Sequence, residues 1–305
     1  MRRRTPDVSL SSLYLGKDSA WRRRIGDSGR YVMAVVGVSD ESRDEGYGAG
    51  LLDHRIPLER RRLEALEAFA DPGTCSVIEH CGIRAGWRCL ELGSGAGSVA
   101  RWLAARCAPG QVVATDIDIR LLPQNVPNLS PLRHNVVHDD FPLASFDLVH
   151  ARALLEHLPE REEVLARMID WTVPGGWVHV DGVIIIQPPD PHQNAYHRCI
   201  NALINLTTDS MQADFRWATA LPGLLTHLGL EGISLHCTPG LVGPGRNADA
   251  LLRLTLEQTG PAMAREGLIT QQDLTACTDL LDTCGFTDLA FLLLSASGRR
   301  KGSAC

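Results

Sequence analysis

The stretch LELGSGAGS, Leu90 to Ser98, carries the most legible chemistry of this chain. Glycines at 93, 95 and 97 remove Cβ atoms where the backbone must turn sharply, so that a ligand can press against main chain. The spacing is G-x-G-x-G and not the G-x-G-x-x-G of a dinucleotide site, whose third glycine serves helix packing beneath a pyrophosphate. Glu91, ahead of the first glycine, also opposes a diphosphate and suits a cationic or zwitterionic group. Asp116 lies about 20 residues beyond the loop, at the end of VVATD, where a carboxylate can accept both hydroxyls of a ribose. Glu91, Gly93, Gly95, Gly97 and Asp116 together ask for a nucleoside with a charged, non-phosphate tail.

Such residues need a frame that brings strand ends together, and the hydrophobic pattern supplies one. LLDHRIPLERRRLEALEAF repeats apolar residues at helical spacing, with Asp71-Pro72-Gly73 read as its stop. WRCLEL reads as a first strand, SVARWLAARC as a helix, QVVAT as a second strand and HNVV as the core of a third. FDLVHA reads as a fourth strand, EEVLARMIDWT as a helix ended by Pro174-Gly175-Gly176, and WVHVDGVIII as a fifth strand. This alternation predicts parallel βαβ units around a buried sheet, an α/β fold. Residues 187–230 turn helical and are read as a lid; a strand at GISLHC, two helices and a last strand, LAFLLLSAS, follow. The organisation expected is an N-terminal extension (1–45), one main domain (46–298) and a basic tail (299–305).

Composition narrows the ligand classes. The chain has 305 residues, 44% hydrophobic and 22% charged, ordinary values for a packed globular protein. A net charge of -6 disfavours a broad grip on nucleic acid, which draws on concentrated Lys and Arg, and leaves a small molecule as the expected partner. Nine cysteines are scattered without a CxxC pair or paired His spacing, so neither a disulfide framework nor a metal site is expected. That usage fits a reducing cytoplasm. No apolar run approaches the 18 or so residues that span a bilayer, so no membrane partner is expected. The extension is a candidate contact for a homo-oligomer.

With Glu91, the three glycines and Asp116 in place, the chain resembles the class I S-adenosylmethionine-dependent methyltransferases. Their first motif has the form E-x-G-x-G-x-G, followed by an acidic residue closing strand two. HNVVHDDFPLASFDLVHARALLEHLP is similar to their third and fourth strands, and the PGGW turn before strand five also matches. The resemblance spans about residues 46 to 298 and looks closest to actinobacterial-type enzymes that tailor natural products. It implies a Rossmann-like methyltransferase sheet of seven strands, the last one antiparallel, with a helical lid. It also implies S-adenosyl-L-methionine as cofactor, with Ser94 in the loop and Ile117 beside Asp116. Asn135, with Val136 next to it and Asp139 as the alternative, would meet the adenine amino group. His150, Ala151 and Arg152 at the end of strand four would face the methionine half.

Methyl transfer is an in-line displacement at a carbon already activated by a sulfonium, so alignment is the first task and a dedicated base is optional. His157, after strand four, is the first candidate base, and a structural hydrogen-bond partner on the alternative reading. His192, Tyr196 and His197 in PHQNAYHRC are read as one helical face over the cleft, or as an ordinary polar face. Asp181 is read as ending strand five, with a turn role as its alternative. Tyr47 and His54 are read as closing over the cofactor, and Phe215 and Trp217 as packing the lid. The activity expected is methylation, at oxygen by preference over carbon or nitrogen, of a small, fairly hydrophobic natural-product intermediate. A nicotinamide-dependent oxidoreductase and a non-catalytic cofactor-binding protein are the rival readings.

Overall fold

The computed structural model describes residues 50–302 and two short strands, Arg24–Ile25 and Tyr31–Val32. The chain divides into two units, residues 1–44 and 45–305. In the first, the two short strands pair antiparallel. Tyr47 lies outside the described residues, as does most of the N-terminal extension.

The second unit is built on a seven-stranded sheet. Its strands are β1 (Arg88–Leu92), β2 (Gln111–Asp116), β3 (Leu129–Arg133), β4 (Phe146–Arg152), β5 (Thr172–Ile185), β6 (Glu231–Val242) and β7 (Asp288–Arg299). Their spatial order is β3-β2-β1-β4-β5-β7-β6. The first five strands are parallel, and β7 inserts antiparallel between β5 and β6. The expected Rossmann-like sheet with an antiparallel last strand is therefore what the chain forms.

The helices are α1 (Pro57–His80), α2 (Ser98–Cys107), α3 (Arg161–Trp171), α4 (Ala195–Met211), α5 (Leu221–His227), α6 (Asp249–Arg265) and α7 (Gln271–Asp282). One core, formed by Val164, Leu165, Met168 and Trp171 of α3 with Leu90, Leu92, Val149 and Val178, fills one side of the sheet. A second joins α2 and Ile78 to Cys89, Val112 and Leu148. A third gathers Phe69 of α1, Ile200 and Leu203 of α4, Leu252 of α6 and Leu281 of α7 over Val183 and Leu293. Residues 187–230, read as a lid, thus include α4, which packs against α6 and α7.

Local signals are overridden in three places. The Asp71-Pro72-Gly73 stop does not end α1, which continues to His80 with Pro72 inside it. Phe69, Ala70, Val77 and Ile78 are buried on both sides of the proline, and that burial outweighs one missing helix hydrogen bond. The third strand is LSPLR and not HNVV, which forms a turn. As an edge strand it pairs only with β2, so Pro131 can occupy it without breaking a central ladder. Finally, Pro174-Gly175-Gly176 lies within β5, at a register shift on β4 between Phe146 and Leu148. A Cβ on Gly176 would stand 2.8 Å from the Asp147 carbonyl oxygen, so only glycine lets the strands approach there.

Gly182 of β5 makes a comparable approach to the 3-10 turn Trp217–Ala220, a Cβ there falling 2.4 Å from the Cβ of Ala218. Gly182→Ala is therefore expected to lose about 1–3 kcal/mol of stability by overpacking. Gly223→Ala in α5, where a Cβ meets nothing within 4 Å, is expected to be neutral or to gain up to about 1 kcal/mol. Urea unfolding of the two variants checks this; equal midpoints would refute the packing account.

Candidate active site

The glycine loop joins β1 to α2 with Gly93, Gly95 and Gly97 all at positive φ (60°, 55° and 77°). Each glycine also meets a neighbour closely. A Cβ on Gly93 would come 3.0 Å from Leu154, on Gly95 3.5 Å from Leu63 of α1, and on Gly97 2.6 Å from Pro123. The loop is pinned to the next strand: the Ser94 N–H donates to the Thr115 carbonyl at 2.8 Å and the Gly95 N–H to Asp116 Oδ2 at 2.9 Å. Asp116 Oδ1 accepts the Asp118 N–H at 3.1 Å. Gly95 and Asp116 thus stand together. Asp116 is buried, and burial raises its pKa against those two amide bonds. Each oxygen keeps a lone pair beyond its amide bond, which suits hydroxyl donors such as those of a ribose.

Other expected cofactor positions surround this bend. Ile117 is half-buried beside Asp116, and its carbonyl accepts Arg133 Nε at 3.1 Å. His54 stands beside the same turn, its Nδ1 3.1 Å from the Asp118 carbonyl oxygen. Asn135 folds on itself, its Oδ1 accepting the Val137 N–H at 3.0 Å while its own N–H donates to Asp139 Oδ2 at 2.7 Å. Val136 is buried and Ala151 sits between Leu92 and Val180 in the sheet.

Glu91, His150 and Arg152 point into a buried polar layer under α1. Glu91 Oε1 is 3.7 Å from His150 Nδ1, and His150 Nε2 is 3.3 Å from Asp181 Oδ2. Burial pushes Glu91 up to about 8 and His150 down to about 4. Arg152 Nη1 donates to Asp71 Oδ1 at 2.6 Å and Nη2 to Ser98 Oγ at 3.3 Å, which ties α1 to the first residue of α2. Thr74 of α1 donates to Asp181 Oδ2 at 2.7 Å. Asp71, Thr74 and His179, none of them singled out from the sequence, belong to this layer. Asp71 was hidden as part of a helix stop, and Thr74 and His179 carry no local motif.

Several catalytic expectations are corrected. Asp181 does not end strand five: β5 runs on to Ile185, so the residue is in mid-strand, 1% exposed. His192 and Tyr196 do not share a helix face, because α4 begins at Ala195, with Asn194 capping it through the His197 N–H at 2.8 Å. His192 is exposed in the preceding turn. Tyr196 is 2% exposed in the core, edge-on to Phe286, where burial pushes its hydroxyl far above the ordinary value. His197 is buried, with Nε2 3.4 Å from Asp288. His157 lies in the 3-10 turn after β4, its ring edge-on to Phe215 at 5.3 Å, and burial drives it down to about 3. Trp217 is buried, as expected of a packing residue.

The sheet order, the antiparallel β7 and the pinned glycine loop leave one assignment. The fold is that of the class I methyltransferases. Residues 90–180 match the methyltransferase domain family. The chain is 40% identical over 98 residues to methyltransferase str2 of Strobilurus tenacellus, covering 31% of this chain and 34% of that one. It is 30% identical over 135 residues to trans-aconitate 2-methyltransferase of Deinococcus radiodurans, 43% and 49% of the two chains. The matched segments thus span only a third to a half of these curated relatives. Among solved structures, phosphoethanolamine N-methyltransferase 2 of Haemonchus contortus superposes with a TM-score of 0.55 at 16% identity, covering 82% of this chain and 60% of that one. The YcgJ protein of a Bacillus gives 0.53 at 14%, covering 76% and 100%. The two solved structures share the fold, and no helix among the described residues is long and apolar enough to cross a membrane.

Next to His157, Glu156 is fully buried with Oε1 accepting the Val183 N–H at 2.8 Å, and burial lifts it to about 7. The folded chain therefore holds a proton that the unfolded chain releases above about pH 4.5. Stability should fall as pH rises from about 4.5 to about 7 and level off above. Glu156→Gln should remove that portion of the slope. Urea midpoints at about pH 5 and about pH 8 check it, and an unchanged slope in the variant would contradict the assignment.

Proposed function

We propose that this chain is an S-adenosyl-L-methionine-dependent methyltransferase acting on a small-molecule acceptor, with transfer to oxygen. The observation that carries the reading is the hydrogen bond from the Gly95 N–H to Asp116, which holds a side-chain-free cradle against a carboxylate. The fit is chemical as well as geometric: the floor is main chain, the carboxylate suits ribose hydroxyls, and the loop offers no third glycine at dinucleotide spacing. Gly93, Ser94, Gly95 and Gly97 would hold the amino-acid end and Asp116 with Ile117 the sugar, while Asn135 and Val136 would flank the adenine. When bound, the cofactor supplies a methyl group already activated by its sulfonium.

The chain's own part is alignment. His157, held at about 3, is a weak proton acceptor at neutral pH, and Asp181 and Tyr196 are sealed in the core. An efficient general base has a pKa near the working pH, which none of these provides. The acceptor we infer is therefore one whose oxygen is already ionised at neutral pH, a carboxylate or an acidic hydroxyl. The name of the trans-aconitate 2-methyltransferases, which this chain resembles in part, points to an acid of that kind. A natural-product intermediate remains the proposed setting, and a cytoplasmic location the proposed compartment.

Titration calorimetry of the purified chain should give saturable heat with S-adenosylmethionine or S-adenosylhomocysteine and none with NAD. Binding of NAD alone would instead make it an oxidoreductase. Asp116→Ala should weaken S-adenosylhomocysteine binding by about 1–3 kcal/mol, the value of a charge-assisted hydrogen bond lost from a buried site. Unchanged affinity would refute the ribose assignment.

A further inference from the structure

The layer beneath α1 is a row of polar side chains in register across the sheet. Glu91, His150, His179, Ser297 and Ser234 lie side by side on β1, β4, β5, β7 and β6. Within it, His150, His179 and Asp181 are at most 1% exposed. The two imidazoles stack, centroids 5.3 Å apart and planes within 17°, and both present Nε2 to one carboxylate. His150 Nε2 is 3.3 Å from Asp181 Oδ2 and His179 Nε2 is 3.1 Å from Oδ1. One donor atom from each of the three side chains falls within 4.8 Å of the others.

Hydrogen bonding alone accounts poorly for this cluster. The His179–Asp181 approach has hydrogen-bond length but not hydrogen-bond geometry. Neither ring nitrogen of His179, nor Asp181 Oδ1, nor His150 Nδ1 makes a hydrogen bond among the described residues. The nearby guanidinium of Arg152 pairs with Asp71, so among the described residues the ion pairs of Asp181 are with the two imidazoles. A buried carboxylate needs positive charge beside it, and buried nitrogens need a partner.

We propose that His150, His179 and Asp181 bind a divalent transition-metal ion, zinc by preference, as a structural site. Two imidazoles and a carboxylate form an N₂O donor set that suits zinc or cobalt, whereas magnesium and calcium take oxygen ligands. Zinc bonds of about 2.0–2.2 Å place tetrahedral ligand atoms about 3.3 Å apart, close to the 3.1 Å between His179 Nε2 and Asp181 Oδ1, while His150 Nε2 lies 3.3 Å from the other oxygen of that carboxylate. Outer partners are in position: Thr74 holds Asp181 Oδ2 at 2.7 Å, leaving Oδ1 for the metal, and Glu91 stands 3.7 Å behind His150 Nδ1. Such an ion fastens β4 to β5 and, through Thr74, both to α1. His179-x-Asp181 on β5 is too short a signal to announce it, because the third ligand, His150, comes from the adjacent strand β4.

The test is the metal content of the full chain, purified from zinc-supplemented culture and dialysed against metal-free buffer. About one zinc per chain is expected by plasma mass spectrometry, with loss of at least about nine-tenths in His179→Gln and in Asp181→Asn. His236→Asn, which removes an exposed histidine on β6, should keep it. Wild-type chain refolded with cobalt should show visible d–d absorption, which decides the matter even where the variants fail to fold. Wild-type chain without transition metal, both as purified and after refolding with zinc or cobalt, would overturn the proposal. So would zinc retained in folded His179→Gln and Asp181→Asn.

Discussion

The bond between the Gly95 amide and the Asp116 carboxylate fixes the rest of the site. It closes the β1–α2 bend onto the end of β2, so the loop is held by its neighbouring strand and not only by its own glycines. With the bend fixed, α2 starts at Ser98, whose hydroxyl then lies within reach of Arg152 on β4. Leu63 of α1 covers the bend from above. Elements distant in sequence thus meet at one turn, whose three glycines hold backbone conformations that side chains rarely adopt.

Helix α1 shows how a sequence can use residues that oppose its local structure. Asp71, Pro72 and Gly73 form a strong stop signal, yet each flanking residue has work to do inside the helix. Asp71 pairs with Arg152, Gly73 lets the helix approach Thr238 on β6, and Thr74 reaches Asp181. Ending the helix at the proline would strip the polar layer of its cover and expose Phe69 and Ile78 together. The helical conformation is therefore set by the sheet it lies on and not by propensity.

Much of the frame was legible because its signals are local. The glycine spacing, Asp116 and the alternation of strands with helices each depend on neighbours in sequence, and they led to the correct sheet and to a carboxylate beside the glycine loop. The polar row that was missed depends on register. The row from Glu91 to Ser234 exists only once β1, β4, β5, β7 and β6 align, and no window of sequence contains two of its members on adjacent strands. His150 was expected to face a ligand for the same reason: the strand end was right, but α1 covers that side. His192 and Tyr196 were placed on one face because their spacing is helical, whereas Asn194 starts the helix between them.

The loop after β4 ties the two halves of the proposed chemistry together. Glu156 receives the Val183 amide through its side chain and the Asp214 amide through its carbonyl at 2.8 Å, while Arg161 pairs with Asp214 at 3.4 Å. Phe215 then packs on His157. The segment between α4 and α5 is thereby anchored to the loop that follows the cofactor strand, so its position is inherited from the sheet. For a reaction whose electrophile arrives already activated, rate depends on holding two groups in line, and rigid anchoring serves that directly. A histidine kept neutral and packed against an aromatic ring contributes to that rigidity, which is a reason for the residue to be there that requires no proton transfer.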